Sequence, residues 1–282
     1  MICRNEPLEG LKKLNCSGCE NVTAIPIIKG LKTLYCGFCP QLAYIPVIEG
    51  LNTIYCGHCP LITSIPIIEG LKYLDCSSCI NLTSIPIIES LIELTCRVCQ
   101  SLEFIPVIEG LKYLNCCHCP LLTFIPIIES LIELKCYRCP LLSHIPQINT
   151  LKRLMCNNCP LLAFIPIISE IHYINSTGCV NLQYIGNLPK DCIIHLPDHL
   201  KKRSNETFAA SDKVRKIYSF TSSQYKRNKL IQYSLYLEKV MYSDPRQAYM
   251  KWLIESGSYD KDEDEFKIGV INSKGKLIWL TM

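Results

Sequence analysis

Paired cysteines are the residues whose type and spacing could do chemistry in this chain. Cys16-x2-Cys19 recurs as Cys36/Cys39, Cys56/Cys59, Cys76/Cys79, Cys96/Cys99, Cys116/Cys119, Cys136/Cys139 and Cys156/Cys159. The 16 residues between successive pairs fall inside a known zinc-ligand spacing. Four thiolates from two adjacent pairs could hold Zn²⁺ tetrahedrally. The gap is not independent evidence for metal, because everything around the cysteines repeats with it. A zinc site built by pairing repeats would need alternate pairs to differ, and these do not. Buried cysteine is also a small hydrophobe. Disulfides between stacked cysteines would meet the Cα distance, but parallel Cβ vectors fit the required dihedral poorly. The expectation is a cysteine-lined core with no metal and no cofactor.

The unit that carries each pair is Leu111-Lys-Tyr-Leu-Asn-Cys-Cys-His-Cys-Pro-Leu-Leu-Thr-Phe-Ile-Pro-Ile-Ile-Glu-Ser130. Copies start at Leu11, Leu31, Leu51, Leu71, Leu91, Leu111, Leu131 and Leu151, with a worn copy at Ile171. A fixed 20-residue period is the signature of a stacked-coil architecture. Within each copy, positions 3–7 alternate in the period-2 manner of a strand, with Leu114 and Cys116 pointing in and Tyr113, Asn115 and Cys117 pointing out. A Cys119-Pro120 turn follows. The Ile125-Pro126-x-Ile128 segment cannot be helix interior, since proline fixes φ and removes a donor. The outer side of each coil is therefore expected to be extended, or to carry a single 3₁₀ turn.

These features divide the chain into 1–10, a partial repeat; 11–170, eight repeats; 171–200, a degenerate repeat and cap; and 201–282, a basic α+β tail. In the cap, Ser176 replaces the first cysteine, Gly186 replaces the proline, and Asp191–Pro197 fits a last strand with Ile194 and Leu196 inward. In the tail, residues 201–211 read as a linker and 222–242 and 245–256 as helices. Phe266–Ile271 and Lys276–Leu280 fit a hairpin.

The pattern Leu31-x-x-Leu34-x-Cys36-x-x-Cys39-x-x-Leu42 resembles the leucine-rich repeat consensus. It departs in two places: cysteine stands at the third leucine position, and one extra residue precedes Leu42. The short Ile45-Pro46-x-Ile48 segment is similar to the 20-residue repeats of secreted bacterial effectors. The cysteine-rich form resembles repeat proteins of giant amoeba-infecting viruses. The resemblance implies an α/β horseshoe-type solenoid, β-rich, right-handed and curved, with one parallel strand per coil on the concave face. At ~4.8 Å per strand the array would be roughly 40 Å long. Family members mostly bind proteins on that face, and a viral origin would place the chain in host cytoplasm.

If positions 3, 5, 7 and 8 face outward, aromatic residues cluster twice there. Tyr35, Phe38, Tyr55, His58 and Tyr73 come early; Tyr113, His118, Tyr137 and Arg138 come later. Tyr, Phe and Arg are enriched at interface hot spots. The plainer account is that stacked aromatics only stabilise the ladder, by about 0.2–1 kcal/mol per pair. The glutamate row Glu49, Glu69, Glu89, Glu109 and Glu129 reads as a solvated edge, its repulsion offset by Lys32, Lys72 and Lys112.

Catalysis is not expected. No cysteine follows Cys192 and no histidine follows His199, so the tail lacks the thiol nucleophile and imidazole base that an effector-type ubiquitin ligase would need. Asp260-x-Asp262-x-Asp264 opens like an EF-hand, but Glu265 stands where glycine is required and Ile271 where the bidentate glutamate belongs. From Lys201 onward, 16 Lys/Arg face 10 Asp/Glu, so the tail carries +6 and the remainder −2. Residues 201–229 interleave those bases with Tyr218, Phe220 and Tyr225, which could grip nucleic acid. No apolar run reaches the roughly 18 residues of a membrane span. Neither a signal peptide nor an N-terminal F-box is expected. The sequence thus reads as an intracellular, non-catalytic protein-binding module with no small-molecule substrate. The alternatives are a nucleic-acid-associated adaptor and a ubiquitin ligase substrate adaptor.

Overall fold

The computed structural model describes residues 10–186, 188–201, 267–271 and 277–281. The chain divides into two units, Met1–Ala210 and Ser211–Met282. In the first unit each copy contributes one three-residue strand. These are β1 (Lys13–Asn15), β2 (Thr33–Tyr35), β3 (Thr53–Tyr55), β4 (Tyr73–Asp75), β5 (Glu93–Thr95), β6 (Tyr113–Asn115), β7 (Glu133–Lys135) and β8 (Arg153–Met155). Two short outer strands, β9 (Phe164–Ile165) and β11 (Tyr184–Ile185), pair parallel with each other. β10 (Tyr173–Asn175) and β12 (Ile193–His195) continue the main sheet, which has ten parallel strands in chain order apart from the two outer ones. A single helical turn, α1 (Asp198–Lys201), follows, with Leu200 buried.

The register is what a 20-residue period requires: Leu34 lies opposite Ile54, Leu74 opposite Leu94, Leu114 opposite Leu134. Position 4 is buried from Leu14 to Ile174 and half-buried at Ile194, and positions 3 and 5 face out, so the strand alternation holds. Beneath the sheet lies one continuous core of leucine, isoleucine and cysteine from positions 1, 4, 6, 9, 12, 15 and 18. The Ile-Pro segments carry no helix or 3₁₀ turn from 10 to 186 among the described residues, and short strand forms at Phe164–Ile165 and Tyr184–Ile185.

Two expectations about the strand need correction. It spans positions 3–5, not 3–7. Backbone pairing does continue, because Cys116 N–H reaches Lys135 O at 2.8 Å and His118 N–H reaches Tyr137 O at 3.0 Å. Between them, however, positions 7 and 8 turn, and position 8 takes left-handed backbone. Phe38, His58, Ser78, Val98, His118, Arg138 and Asn158 all have φ between 55° and 60°. Each coil therefore turns before the Cys-Pro step as well as after it. As a result Cys117, expected to be free for recognition, is completely buried.

The cysteines have a second role besides filling space. From Cys39 onward, each position-9 thiol donates to the position-6 carbonyl of the coil before it, whereas Cys19 is disulfide-bonded. Cys39, Cys119 and Cys179 reach Cys16 O, Cys96 O and Cys156 O at 3.1, 3.2 and 3.0 Å. The same bond recurs from Cys59, Cys79, Cys99, Cys139 and Cys159. A buried carbonyl needs a partner, and cysteine supplies a weak donor on a small apolar side chain. Ser176, the apparent departure, keeps the position-6 version of this contact. Its hydroxyl donates to His195 O at 3.1 Å, as Cys116 Sγ does to Lys135 O at 3.5 Å.

Gly186 has an equally local cause. Its N–H donates to Ile165 O at 2.9 Å, a bond proline cannot make, and a Cβ there would lie 2.5 Å from Ile167 N. Position 20 shows two solutions to one corner. Gly30, Gly50 and Gly70 adopt positive φ, whereas the hydroxyls of Ser90, Ser130 and Thr150 bond back to Leu71 O, Leu111 O and Leu131 O.

The glutamate row is exposed as expected. Among the described residues no lysine of position 2 pairs with it; Lys32 Nζ instead donates to Gly50 O at 3.0 Å. In the second unit β13 (Lys267–Ile271) pairs antiparallel with β14 (Leu277–Thr281), with Gly269 opposite Trp279. The partial repeat 1–9, the expected linker and helices, the acidic run Asp260–Glu265 and the basic stretch 202–229 lie outside the described residues.

Candidate functional site

The outward rows of positions 3, 5 and 8 form one open face along the sheet. Register brings the early cluster together. Tyr35 and Tyr55 lie opposite each other on β2 and β3 and stack with ring centroids 4.9 Å apart and planes 4° apart. One row over, Phe38 and His58 stack at 4.3 Å and 10°. Tyr73, on β4 opposite Thr53, is exposed beside Tyr55. Burial, then Tyr35 and the carboxylates of Glu93 and Asp75, raise the Tyr55 phenol above its ordinary value. Asp75 also accepts the Ser77 N–H at 2.9 Å.

The later cluster forms in part. His118 meets Tyr137 edge-on with centroids 5.4 Å apart. Burial, then Arg138 and Arg97, hold the imidazole below its ordinary value. Tyr113 is exposed in register between Glu93 and Glu133. Asn115 Oδ1 is the one buried side-chain oxygen or nitrogen among the described residues without a hydrogen-bond partner. It sits on this face between Thr95 and Lys135.

Sequence reasoning missed a third group. Glu133 bridges Lys135 at 2.7 Å and Arg153 at 3.9 Å, and Arg153 lies over the Tyr173 ring at 5.4 Å. Tyr173 in turn leans on His195 at 5.6 Å. The signal was available, since Glu133, Arg153 and Tyr173 all occupy position 3, but aromatic counting passed over it.

Most of the core thiols are raised above their ordinary value, whereas Cys79, Cys119 and Cys179 are lowered by hydrogen bonds from the thiols of Cys56, Cys96 and Cys156 respectively. Burial pushes Cys16 up to about 11 and Cys117 and Cys159 up to about 12, and drives Cys36, Cys116 and Cys136 higher still. Thiolate is both the nucleophile and the metal ligand, and these groups hold their protons. Among the described residues no three His, Cys, Asp or Glu converge as a metal site, and no helix is long and apolar enough to cross a membrane.

The coil, the register and the buried consensus positions coincide with a known architecture. The first unit resembles the leucine-rich repeat domain of the type III effector XopL, with a TM-score of 0.54 and 22% identity over 61% of this chain and 70% of that one. The fold is a leucine-rich repeat solenoid. Weaker likenesses are a leucine-rich cell surface protein from Faecalibacterium prausnitzii and a leucine-rich repeat protein from Bacteroides ovatus. Their TM-scores are 0.41 and 0.40, each at 17% identity, covering 60% and 63% of this chain and the same shares of theirs. No protein-family model matches the sequence, and a comparison with curated proteins finds no match.

Proposed function

We propose that the protein is a non-catalytic interaction module that binds a protein partner on the open, concave face of its leucine-rich repeats, chiefly through Tyr35, Phe38, Tyr55, His58 and Tyr73. The observation that carries this is the backbone beneath Phe38 and His58. Left-handed backbone costs a non-glycine residue about 1–2 kcal/mol, and the first and ninth coils place Gly18 and Gly178 at the same position. Phe38 adds exposed aromatic surface, 61% of it in solvent. Ring stacking at about 0.5–1.5 kcal/mol offsets part of this. Solvent exposure and backbone strain both argue that a large side chain at this turn is kept for contact with something else.

The unpaired Asn115 oxygen on the same face supports the reading, because a buried acceptor without a donor is uncommon in native proteins. The test is partner capture by the full chain against Tyr35→Ala/Tyr55→Ala and Phe38→Gly variants, all first shown to retain the wild-type unfolding transition. Loss of a specifically enriched protein from both variants is the expected result. Unchanged capture by both rejects the reading.

A further inference from the structure

The charges on the open face are separated along the array. Asp75 and Glu93 lie beside the early tyrosines, whereas Arg97, His118 and Arg138 lie on the turns of three successive coils, which stack through Val98 N–H to Cys117 O at 2.9 Å and His118 N–H to Tyr137 O at 3.0 Å. Among the described residues the ion pairs are those of Glu133 with Lys135 and Arg153, so neither Arg97 nor Arg138 has a carboxylate within 4.0 Å. The Tyr137 ring borders the same group.

We propose that Arg97, His118 and Arg138, with Tyr137 beside them, receive one phosphorylated side chain of a protein partner. This rests on the interaction reading above and names the chemistry of one of its contacts. Each guanidinium offers a planar fork of N–H donors that matches a phosphate, and the imidazole can add another donor. Two permanent positive charges match the roughly −1.5 to −2 of a phosphomonoester. A carboxylate would engage one fork and leave the other uncompensated.

A nucleic-acid strand fits less well. Glu93 and Glu133 stand at position 3 in the coils on either side of Tyr113, on the same face. A polyanion running along the array would meet both, whereas a single phosphate on the turns avoids them.

The test is an NMR titration of the full chain, following the His118 ring, with N-acetyl-phosphoserine amide, N-acetyl-aspartate amide and an oligothymidylate as separate probes. The phosphoserine probe should saturate, bind more tightly than the aspartate probe, and weaken at least about tenfold in Arg97→Gln/Arg138→Gln, the loss expected for hydrogen bonds to a charged group. Both glutamines replace exposed side chains, so the unfolding midpoint should not move. No shift at His118, equal binding of both small probes, or unchanged affinity in the double variant overturns the proposal. So does arginine-dependent binding of oligothymidylate that is tighter than that of the phosphoserine probe. The Tyr35→Ala/Tyr55→Ala variant should bind the phosphoserine probe normally, so failure of this site and failure of the interaction surface give different results.

Discussion

Phe38 and His58 sit one coil apart with rings stacked at 4.3 Å, and each holds left-handed backbone to do so. The pair shows how the solenoid separates its tasks. Buried positions repeat almost without change, and the turn at position 8 carries whatever side chain is presented there, at a conformational cost.

That cost is measurable where nothing offsets it. Val98 is β-branched, has φ of 59° and makes no ring contact, whereas Asn158 occupies the same position and tolerates it. Val98→Asn should raise stability by about 1 kcal/mol in urea unfolding. A midpoint that stays put or falls would show that the turn is not strained.

The thiol ladder predicts a graded response at Cys119, whose Sγ lies 3.2 Å from Cys96 O. Cys119→Ala leaves a small void and an unpaired carbonyl and should cost about 1–3 kcal/mol. Cys119→Ser keeps a donor and should recover a clear part of that loss. If serine proves no better than alanine, the thiol acts as filler alone.

Gly186 closes on the neighbouring coil, where a methyl group would meet the Ile167 backbone. Gly186→Ala should destabilise by about 1–3 kcal/mol, with the loss seen as a lower thermal midpoint. A neutral result would mean that β9 and β11 can part without consequence.

Two histidines give a pH dependence of defined sign. Burial and the adjacent arginines lower His118, and burial lowers His144. The folded chain therefore binds fewer protons than the unfolded chain just below the ordinary value of about 6.5. The stability these groups contribute is present above that value and is lost as pH falls through it toward the folded values. Urea midpoints of wild type should decline across this window more steeply than those of His118→Gln/His144→Gln; parallel curves would contradict it.

How much of this was legible follows from the period. Leu114, Cys116, Cys119, Leu122, Ile125 and Ile128 are all buried, because a repeat that must stack cannot vary them. Placing the cysteines in the core came from the same logic. The left-handed turn was hidden because Gly18, Asn158 and Gly178, which favour that backbone, are mixed with Phe38, Val98 and Arg138, which do not. Cys117 was misplaced for that reason, since strand alternation was extended across a turn. Tyr35 with Tyr55 and Phe38 with His58 could be paired from register alone, but the edge-on approach of His118 to Tyr137 depends on side-chain direction, which spacing does not determine.

The central claim is that the aromatic rows of coils two to four hold a protein partner. Its most direct test is quantitative capture by the full chain, comparing wild type with Tyr35→Ala/Tyr55→Ala at matched folding. The account predicts that the partner enriched by wild type is lost from the variant while the unfolding transition is retained. Equal recovery of that partner by the folded variant would contradict it.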